Sequence, residues 1–557
     1  VPSNNEMMLT FNTSASNRKY GETSYTLNFY NIKNYLTSCR NQLQSLTRLG
    51  SYTYSTQTSF LYNDDPINKS QYLRTINTFS KTFTRTEWGI YERFERNMFT
   101  DKIVIQLQNN SYQYNEDYLY LKNNDSIRYK YQVLFKNSIK DKVEDFQIKR
   151  DQVAYDLQGT FDLNITETQM IKSSAVYRKS FQKDTIGKLF SEDFFVGSLE
   201  YVGRFLKNAI ILNTYYEAGS GLEQKKIYSF IKVATGQGTH VWNDYNNNNI
   251  EELNEFEIAV FQNEANYIKI WITSNDYIYT FNNALMQSIQ IRPASIWGNR
   301  KGFLHFLSHW NNSTLIRLNQ KNTKEELGQA LNPFFISAND TMIMTSNIIV
   351  NNTVSYNPSQ KWGLDYYYKF IQNKNLLYYG PEVTQQEFHE LMLRVKPTKR
   401  LIFKTRFSKG NKINNSTFFI TNNFNLRLMS LKLESEVQIA DQVNLDLSYQ
   451  YKWKQNLSGD QKLTGNEVEL VLDYRIPRKG TLSAKGKYVY FFSKQNIEGN
   501  LGYEMLEGLG LGKNATWTLL YQFQVSEYLL IDFQYNGRTS EKSRTIHNGT
   551  LQLKVIF

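Results

Sequence analysis

Apolar and polar side chains alternate along this chain with a period of two residues, most strictly toward its C-terminal end. In Val443–Lys454 every odd position is apolar or aromatic and every even position is polar or charged. This alternation is typical of β-strands whose two faces meet different surroundings. The pattern recurs in Glu467–Ile476, Trp517–Val525, Leu529–Asn536 and Leu551–Phe557.

Two kinds of β-protein have such strands. The strands of a soluble β-sandwich also alternate, but they average about 5–6 residues, whereas strands that cross a bilayer at a tilt need about 9–11. Here the alternation continues for about 10 residues per segment, and aromatic residues such as Tyr451 and Trp453 lie near strand ends, where a membrane barrel carries its aromatic girdle. The final residue, Phe557, is also aromatic. These features favour the membrane barrel.

We therefore expect an all-β fold, a large antiparallel transmembrane β-barrel of roughly 20 to 26 strands with long loops. No apolar run reaches the roughly 18 residues that a transmembrane helix needs. Three regions are expected: residues 1–190 with N-terminal barrel strands, residues 191–290 with strands and an inserted loop region at 235–261, and residues 291–557 with C-terminal barrel strands ending at Phe557. Because the chain begins VPSNN, we expect it to be processed or part of a longer precursor.

Composition excludes several other classes. Aromatic residues make up 15% of the chain, with only 8 Pro and 28 Gly, which argues against disorder and collagen-like structure. The single cysteine, Cys39, excludes an internal disulfide framework. The net charge of +12 could attract nucleic acid, anionic lipid or anions in a cavity. Because the Lys/Arg groupings are short and interrupted, we expect no nucleic-acid partner.

Alternation stops between Thr235 and Phe261, and this stretch contains a candidate Ca²⁺ loop. Its twelve residues, Asp244–Glu255, match the oxygen spacing of an EF-hand loop. Glu255 would be the bidentate ligand, and Asn249 would adopt the positive φ that glycine usually supplies. The predicted ligands are Asp244, Asn246, Asn248, the carbonyl of Ile250, Glu252 and Glu255. With only three carboxylates the site should be weak, and an Asn-rich surface loop without metal is the alternative.

Other candidate motifs are weaker. His305 and His309 have the spacing of a helical metal pair, but their context reads as a strand and offers no third ligand. Thr323–Leu331 is predicted to be a short helix with Thr323 as its N-cap and Glu326 completing a capping box. No nucleophile motif or polar cluster points to catalysis, so we expect no enzyme activity and no organic cofactor. The cations on polar faces, such as Lys452 and Arg475, are interpreted chiefly as cross-strand partners of nearby acids, with a cation-rich lumen or a lipopolysaccharide-facing rim as the alternative.

Three stretches carry a family resemblance: Tyr215–Phe261, Tyr503–Trp517 and the ending IHNGTLQLKVIF. They resemble a family of large Bacteroidota outer-membrane and cell-surface β-barrel proteins, and the likeness extends over roughly the last two-thirds of the chain. The resemblance implies a bacterial outer-membrane location. It implies no activity, so no functional residue is transferred from the family.

The expected function is an outer-membrane pore, or a subunit of a transport, secretion or assembly machine. A surface-exposed adhesin or structural protein is the alternative. The expected partners are outer-membrane lipid and lipopolysaccharide, together with other outer-membrane proteins or lipoproteins.

Overall fold

The computed structural model describes residues 6–123, 128–183, 189–324, 326–334, 342–377, 380–417, 419–476, 479–526, 529–541 and 543–555. In these residues the strands form one sheet of 28 strands, and every strand pair whose register is resolved is antiparallel. Three of the strands have only two or three residues, and the other 25 have at least 12. The expected all-β class and a sheet of this size are confirmed. Phe557, the predicted end of the last strand, lies outside the described residues.

The chain divides into two compact units. The first comprises residues 1–202 and 217–221, and the second comprises residues 203–216 and 222–557. The strands through the first unit, with the two that are shared between the units, are β1 Glu6–Asn17, β2 Gly21–Ile32, β3 Leu36–Leu49, β4 Tyr52–Asp64, β5 Asn68–Thr82, β6 Thr86–Asp101, β7 Gln106–Leu107, β8 Tyr112–Asn123, β9 Tyr129–Glu144, β10 Gln147–Thr166, β11 Gln169–Lys183, β12 Leu189–Phe205 and β13 Ile210–Lys232.

The second unit continues with the strands β14 His240–Trp242, β15 Phe256–Ile258, β16 Tyr267–Ile291, β17 Trp310–Asn322, β18 Ile343–Tyr356, β19 Trp362–Leu377, β20 Gly380–Thr398, β21 Leu401–Ser416, β22 Phe424–Ala440, β23 Val443–Asn456, β24 Lys462–Ile476, β25 Gly480–Phe492, β26 Gly512–Ser526, β27 Leu529–Ser540 and β28 Ser543–Val555. The helices are short: α1 Ala294–Trp297, α2 Phe303–Ser308, α3 Leu327–Ala330, α4 Gly499–Leu506 and the 3₁₀ turns Leu253–Glu255, Gln262–Glu264 and Ile420–Asn422. No described helix has the length and apolar character needed to span a membrane.

The two faces of the sheet follow the sequence alternation. In β23 the odd residues Leu447 and Tyr449 are 49% and 41% exposed, whereas Lys452 and Lys454 on the even face are each 8% exposed. A soluble sandwich would bury the apolar face instead. We call the two sides the apolar outer face and the polar inner face. Their arrangement excludes the soluble-sheet interpretation for β23 and its neighbours.

From β20 to β27 the connections between strands are shorter at one end of the hairpins than at the other. At one end β20 and β21 are joined by residues 399–400, and β22 and β23 by residues 441–442. At the other end β21 and β22 are joined by residues 417–423, and β25 and β26 by residues 493–511. We call these the short-turn end and the long-loop end. They give the sheet a polarity along its strands.

Two local predictions are wrong. His305 lies in helix α2 rather than in a strand, and the strand begins only at Trp310. The short helix near residue 327 exists, but Thr323 is not its N-cap, because Thr323 N–H donates to the Met342 carbonyl and extends the strand pairing. Backbone pairing with Met342 replaced the predicted cap at Thr323, whereas the short apolar run around His305 fits a helix as well as a strand.

Candidate functional site

Ion pairs between adjacent strands line the polar inner face of the second unit. Lys485 Nζ lies 2.8 Å from Glu469 Oε2, and Lys487 Nζ lies 2.9 Å from Glu467 Oε2. Lys404 likewise pairs with Glu436 across β21 and β22. The interpretation as partners of cross-strand acids is confirmed for Lys404, Lys452, Lys485 and Lys487. The inner face is therefore rich in charge but largely neutralised from within.

Toward the long-loop end the inner face becomes apolar. Phe424, Leu426, Leu463, Val489 and Phe491 point inward there, and each is at most 6% exposed. They are covered by residues 493–511, which we call the cap segment. Its helix α4 and preceding turn contribute Ile497, Met505 and Leu506 to the same cluster. Burying these side chains against strand residues fixes the cap segment on the inner face.

Glu507, at the end of α4, anchors the cap segment through charge. The residue has a positive φ of 55°, which ends the helix and turns its side chain toward β23. Its Oε1 accepts from Lys454 Nζ at 2.8 Å, and its Oε2 accepts from Lys452 Nζ at 2.8 Å. Lys452 also pairs with Glu467 at 2.8 Å, and Lys454 donates to the Met505 carbonyl at 2.7 Å. One cap carboxylate thus satisfies two lysines of the sheet.

The electrostatic balance at Glu507 favours its charged form. Burial raises the pKa of Glu507, but attraction by Lys454 and Lys452 and their hydrogen bonds outweigh burial and lower the pKa to about 2. The carboxylate is therefore ionised across the physiological range. The cap segment is held to the sheet by an anion placed between two cations.

A second segment contacts the cap segment. Residues 233–266, which we call the insertion, lie between β13 and β16 and contain only the short strands β14 and β15. The backbone N–H of Val260 donates to Tyr503 Oη of α4 at 2.8 Å. Asn422, in the turn between β21 and β22, donates to the Asn254 carbonyl at 2.9 Å. The predicted break in strand structure within Thr235–Phe261 is confirmed, and the insertion packs beside α4.

The insertion is also tied to β27. The Arg538 guanidinium lies 4.3 Å from the centre of the Phe261 ring and forms an ion pair with Glu264. The Arg538 guanidinium thus stacks on an aromatic ring and pairs with a carboxylate at the same time. The planar guanidinium of arginine suits this combination better than the ammonium group of lysine. The insertion therefore has attachments both to the cap segment and to the inner face.

A titratable carboxyl lies where the insertion approaches α4. Glu257 of β15 is half-buried, and Tyr245 Oη donates to its Oε1 at 3.4 Å. Burial raises the pKa of Glu257 to about 7, and the negative charge of Glu504 acts in the same direction. The hydrogen bond from Tyr245 and the charge of Lys412 oppose this shift. Glu257 therefore changes charge near neutral pH.

The first half of the predicted Ca²⁺ loop folds as a series of side-chain-capped turns. Asp244 Oδ2 accepts from the Asn249 N–H at 2.9 Å, and Asn246 Oδ1 accepts from the Asn248 N–H at 3.0 Å. Asn248 Oδ1 accepts from the Ile250 N–H at 2.7 Å. Asn249 has a φ of 57°, which confirms the positive φ predicted for that position.

The second half of the loop turns its carboxylates toward other donors. Glu252 Oε2 accepts from Asn246 Nδ2 at 2.7 Å. Glu255 is 1% exposed; its Oε2 accepts from Trp242 Nε1 at 2.8 Å and its Oε1 from the Tyr245 N–H at 3.2 Å. The described residues contain no group of three or more His, Cys, Asp or Glu side chains placed for a metal. Asp244 Oδ1 and Asn246 Oδ1 both accept from the Asn248 N–H, and the Ca²⁺ site stays a prediction.

Sequence reasoning missed the cap segment and its anchor. Glu507 lies directly before the Gly-rich stretch Gly508–Gly512, and no strand alternation marks its position. A usable signal was present in the apolar residues Leu501, Met505 and Leu506, which lie on one side of a short helix. The partners of Glu507 lie about fifty residues earlier in the chain, so its role depends on tertiary structure.

Comparisons with known proteins give structural neighbours only. No protein-family model and no curated protein matches the chain. Among solved structures, the siderophore receptor PiuA from Acinetobacter baumannii has a TM-score of 0.34 and 10% identity, covering 96% of this chain and 86% of its own. The FrpB iron transporter from Neisseria meningitidis has a TM-score of 0.30 and 8% identity, covering 98% and 80%. The ferripyoverdine receptor of the outer membrane of Pseudomonas aeruginosa has a TM-score of 0.29 and 10% identity, and the match covers 93% of this chain and 72% of the receptor.

Proposed function

We propose that the chain is a bacterial outer-membrane β-barrel that acts as a pore, or as a subunit of a transport, secretion or assembly machine. The observation that carries the proposal is the inverted burial of its strands: large apolar side chains are exposed while lysines and glutamates are buried. Water does not favour such an outer face, but hydrocarbon does. A surface adhesin that folds in water would instead bury its apolar face.

The height of the apolar outer face agrees with a bilayer. On β23 the outward residues run from Val443 to Trp453, and ten residue steps span about 34 Å at about 3.4 Å per residue. A tilt of about 40° reduces this to about 25 Å, the height of the apolar band of outer-membrane barrels. Tyr449, Tyr451 and Trp453 form one aromatic margin of this band.

The proposal also orients the protein. In outer-membrane barrels the short turns face the periplasm and the longer loops face the exterior. The cap segment and the insertion then lie at the exterior end of the inner face, where they would restrict passage through a pore. We infer a gated rather than a permanently open channel, with the cap segment and insertion as the parts that must move.

The remaining expectations belong to the same proposal. The partners are outer-membrane lipid, lipopolysaccharide, and other outer-membrane proteins or lipoproteins, and the source is a Bacteroidota outer-membrane family of the kind that the sequence resembles. The inner face favours transport over catalysis because its charged side chains are engaged in ion pairs with each other, such as Lys485 with Glu469. Weakly bound Ca²⁺ at Asp244–Glu255 would order the insertion.

Membrane fractionation tests the proposal. The full chain, expressed with an export signal in a bacterial host, should remain in the outer membrane after washes with salt and alkali and should require detergent for release. Unheated samples should migrate differently from boiled ones in gel electrophoresis, because an intact barrel resists the denaturant. Release by the alkaline wash, with a mobility insensitive to heat, would contradict the membrane-spanning fold and favour a peripheral adhesin.

A further inference from the structure

We propose that the apolar outer face of β20–β22 carries a binding site for a phosphorylated lipid headgroup of the lipopolysaccharide class. The site consists of Lys409, Asn411 and Arg427, which we call the cationic strip. This inference rests on the proposed membrane location and names one lipid contact within it. It concerns the outer face, away from the cap segment and the insertion.

Strand register places the cationic strip on the outer face. Lys409 pairs with His389 and Met429, and Asn411 pairs with Glu387 and Arg427. One step toward the short-turn end, the same face carries the row Leu391, Phe407 and Leu431, which are 46%, 45% and 42% exposed. The strip therefore lies immediately beside the apolar band, at its long-loop margin.

The two cations of the strip are available to a ligand. Lys409 and Arg427 are exposed, and within the described part of the chain neither has an ion-pair or hydrogen-bond partner. This differs from the inner face, where lysines such as Lys485 pair with acids across strands. Diagonal neighbours on adjacent strands lie about 7–8 Å apart, so both long side chains can reach one phosphate.

Glu387, the acid that pairs with Asn411 across β20 and β21, is already engaged. Glu387 Oε1 accepts from Tyr368 Oη at 3.3 Å and lies 3.5 Å from His389 Nε2. Tyr366 Oη is 2.8 Å from His389 Nδ1. Glu387 therefore faces Tyr368 and His389, and the cationic strip keeps a local excess of positive charge.

A groove beside Lys409 gives the apolar part of the lipid a place to lie. It has a volume of about 510 Å³ and is lined by residues of β19–β21 that include Tyr366, Leu391, Phe407 and Lys409 and the acids Glu387 and Glu390, while Arg427 lies outside it. It combines an apolar floor toward the band with polar groups toward the long-loop end. Such a gradient matches a lipid, whose acyl chains and charged headgroup make the same transition.

Orientation selects the lipid. The long-loop end faces the exterior in the proposed barrel, so the strip meets the headgroups of the outer leaflet. A phosphate there would receive charge-assisted hydrogen bonds from Lys409 and Arg427, with the Arg427 guanidinium able to bind two oxygens. Its acyl chains would cover Leu391, Phe407 and Leu431.

The test compares the full-length protein with the double variant Lys409→Ala/Arg427→Ala and the control Lys462→Ala. Lys462 is an exposed cation at the same end of β24, but its outward neighbours Thr464 and Asn466 are polar. Each protein is extracted in mild detergent, stripped of lipid by detergent exchange, and titrated with purified lipopolysaccharide and with its dephosphorylated form. Native mass spectrometry measures the lipid bound per protein.

The wild type and Lys462→Ala should bind the phosphorylated form at least about tenfold more tightly than the dephosphorylated form, because two charge-assisted hydrogen bonds are lost with the phosphate. The double variant should lose this preference. Equal binding of both forms by the wild type, or an unchanged preference in the double variant, would overturn the proposal. Full displacement by millimolar inorganic phosphate would show a free-anion site and would equally overturn it.

The membrane assay separates this inference from the proposed function. If the wild type and the double variant both insert and keep their heat-sensitive gel mobility, a missing lipid preference counts against the cationic strip alone. If the wild type is not held in the membrane, the proposed function fails, and the lipid site fails with it.

Discussion

Replacing Glu507 by glutamine should release the cap segment while leaving the sheet intact. The substitution keeps the shape of the side chain but removes the charge that two lysines share. Lys452 retains Glu467 at 2.8 Å, whereas Lys454 keeps the Met505 carbonyl but loses the carboxylate to which it donates. Glu507→Gln therefore leaves one buried ammonium group without a carboxylate partner.

The size of the effect follows from the burial of the lysines. Removing one partner of a buried ion pair costs about 3–5 kcal/mol. Both lysine side chains are 10% exposed, but that of Glu507 is 32% exposed, so solvent screens part of this energy. We expect a loss of about 2–3 kcal/mol in the docking of the cap segment, a factor of about 30 to 150 in its docking equilibrium.

Hydrogen–deuterium exchange measures this change directly. Peptides covering residues 497–511 should exchange about 30 to 150 times faster in Glu507→Gln, while peptides from β23 and β24 should keep their protection. Glu504→Gln is the matched control, because Glu504 lies on the same helix and is also 32% exposed but pairs only with Lys412 at 2.6 Å. The control should change exchange by less than about fivefold. Unchanged exchange at residues 497–511, or equal effects of both variants, would refute the reasoning.

Three further outcomes are expected. Leu470→Arg, on the apolar outer face, should lower the stability of the barrel in the membrane by about 2–4 kcal/mol and reduce the fraction of protein with heat-sensitive gel mobility. Glu469→Gln, which loses only a partly exposed ion pair, should leave that fraction unchanged. Equal effects of the two variants would contradict the assignment of faces. Because the pKa of Glu257 in the folded protein lies near 7, above its usual value, docking of the insertion should weaken by about 2 kcal/mol as pH rises from about 5 to 8. Hydrogen exchange at residues 239–266, corrected for intrinsic rates, should show this pH dependence in the wild type and lose it in Glu257→Gln. A pH dependence that persists in the variant would rule out Glu257 as its source. Millimolar Ca²⁺ should slow exchange of the loop in the wild type but not in Asp244→Ala, and calorimetry showing no Ca²⁺ binding to the wild type would end the EF-hand hypothesis.

The sequence was sufficient for the parts of the fold that depend on local alternation. The predicted segment Val443–Lys454 lies wholly in a strand that continues to Asn456, and its faces are exposed and buried as the membrane interpretation requires. The prediction of the two faces succeeds because side-chain direction alternates strictly along a strand, so the order of polar and apolar residues assigns each residue to a face. The positive φ of Asn249 was predictable for a similar local reason.

The rest depends on contacts between distant residues. Ile497 and Met505 become buried only because Phe424 and Leu463 leave an apolar area on an otherwise polar inner face. His305 was assigned to a strand because its apolar neighbours fit both a strand and a helix, an ambiguity that short apolar runs carry. The docking of the cap segment on the inner face therefore could not be predicted from the sequence pattern, and the charge network around Glu507 could be found only in three dimensions.

The nearest-neighbour pairing of the strands has a consequence for assembly. Most long strands are followed by a connection of two to seven residues, so much of the sheet can grow one hairpin at a time with little loop entropy to lose. The junction of β13 and β16 differs, since the whole insertion, residues 233–266, must be enclosed before these strands can meet. Closing a loop about ten times longer than a tight turn costs about 2 kcal/mol more. This junction is where growth of the sheet should pause, and where an assembly factor would have most to accelerate.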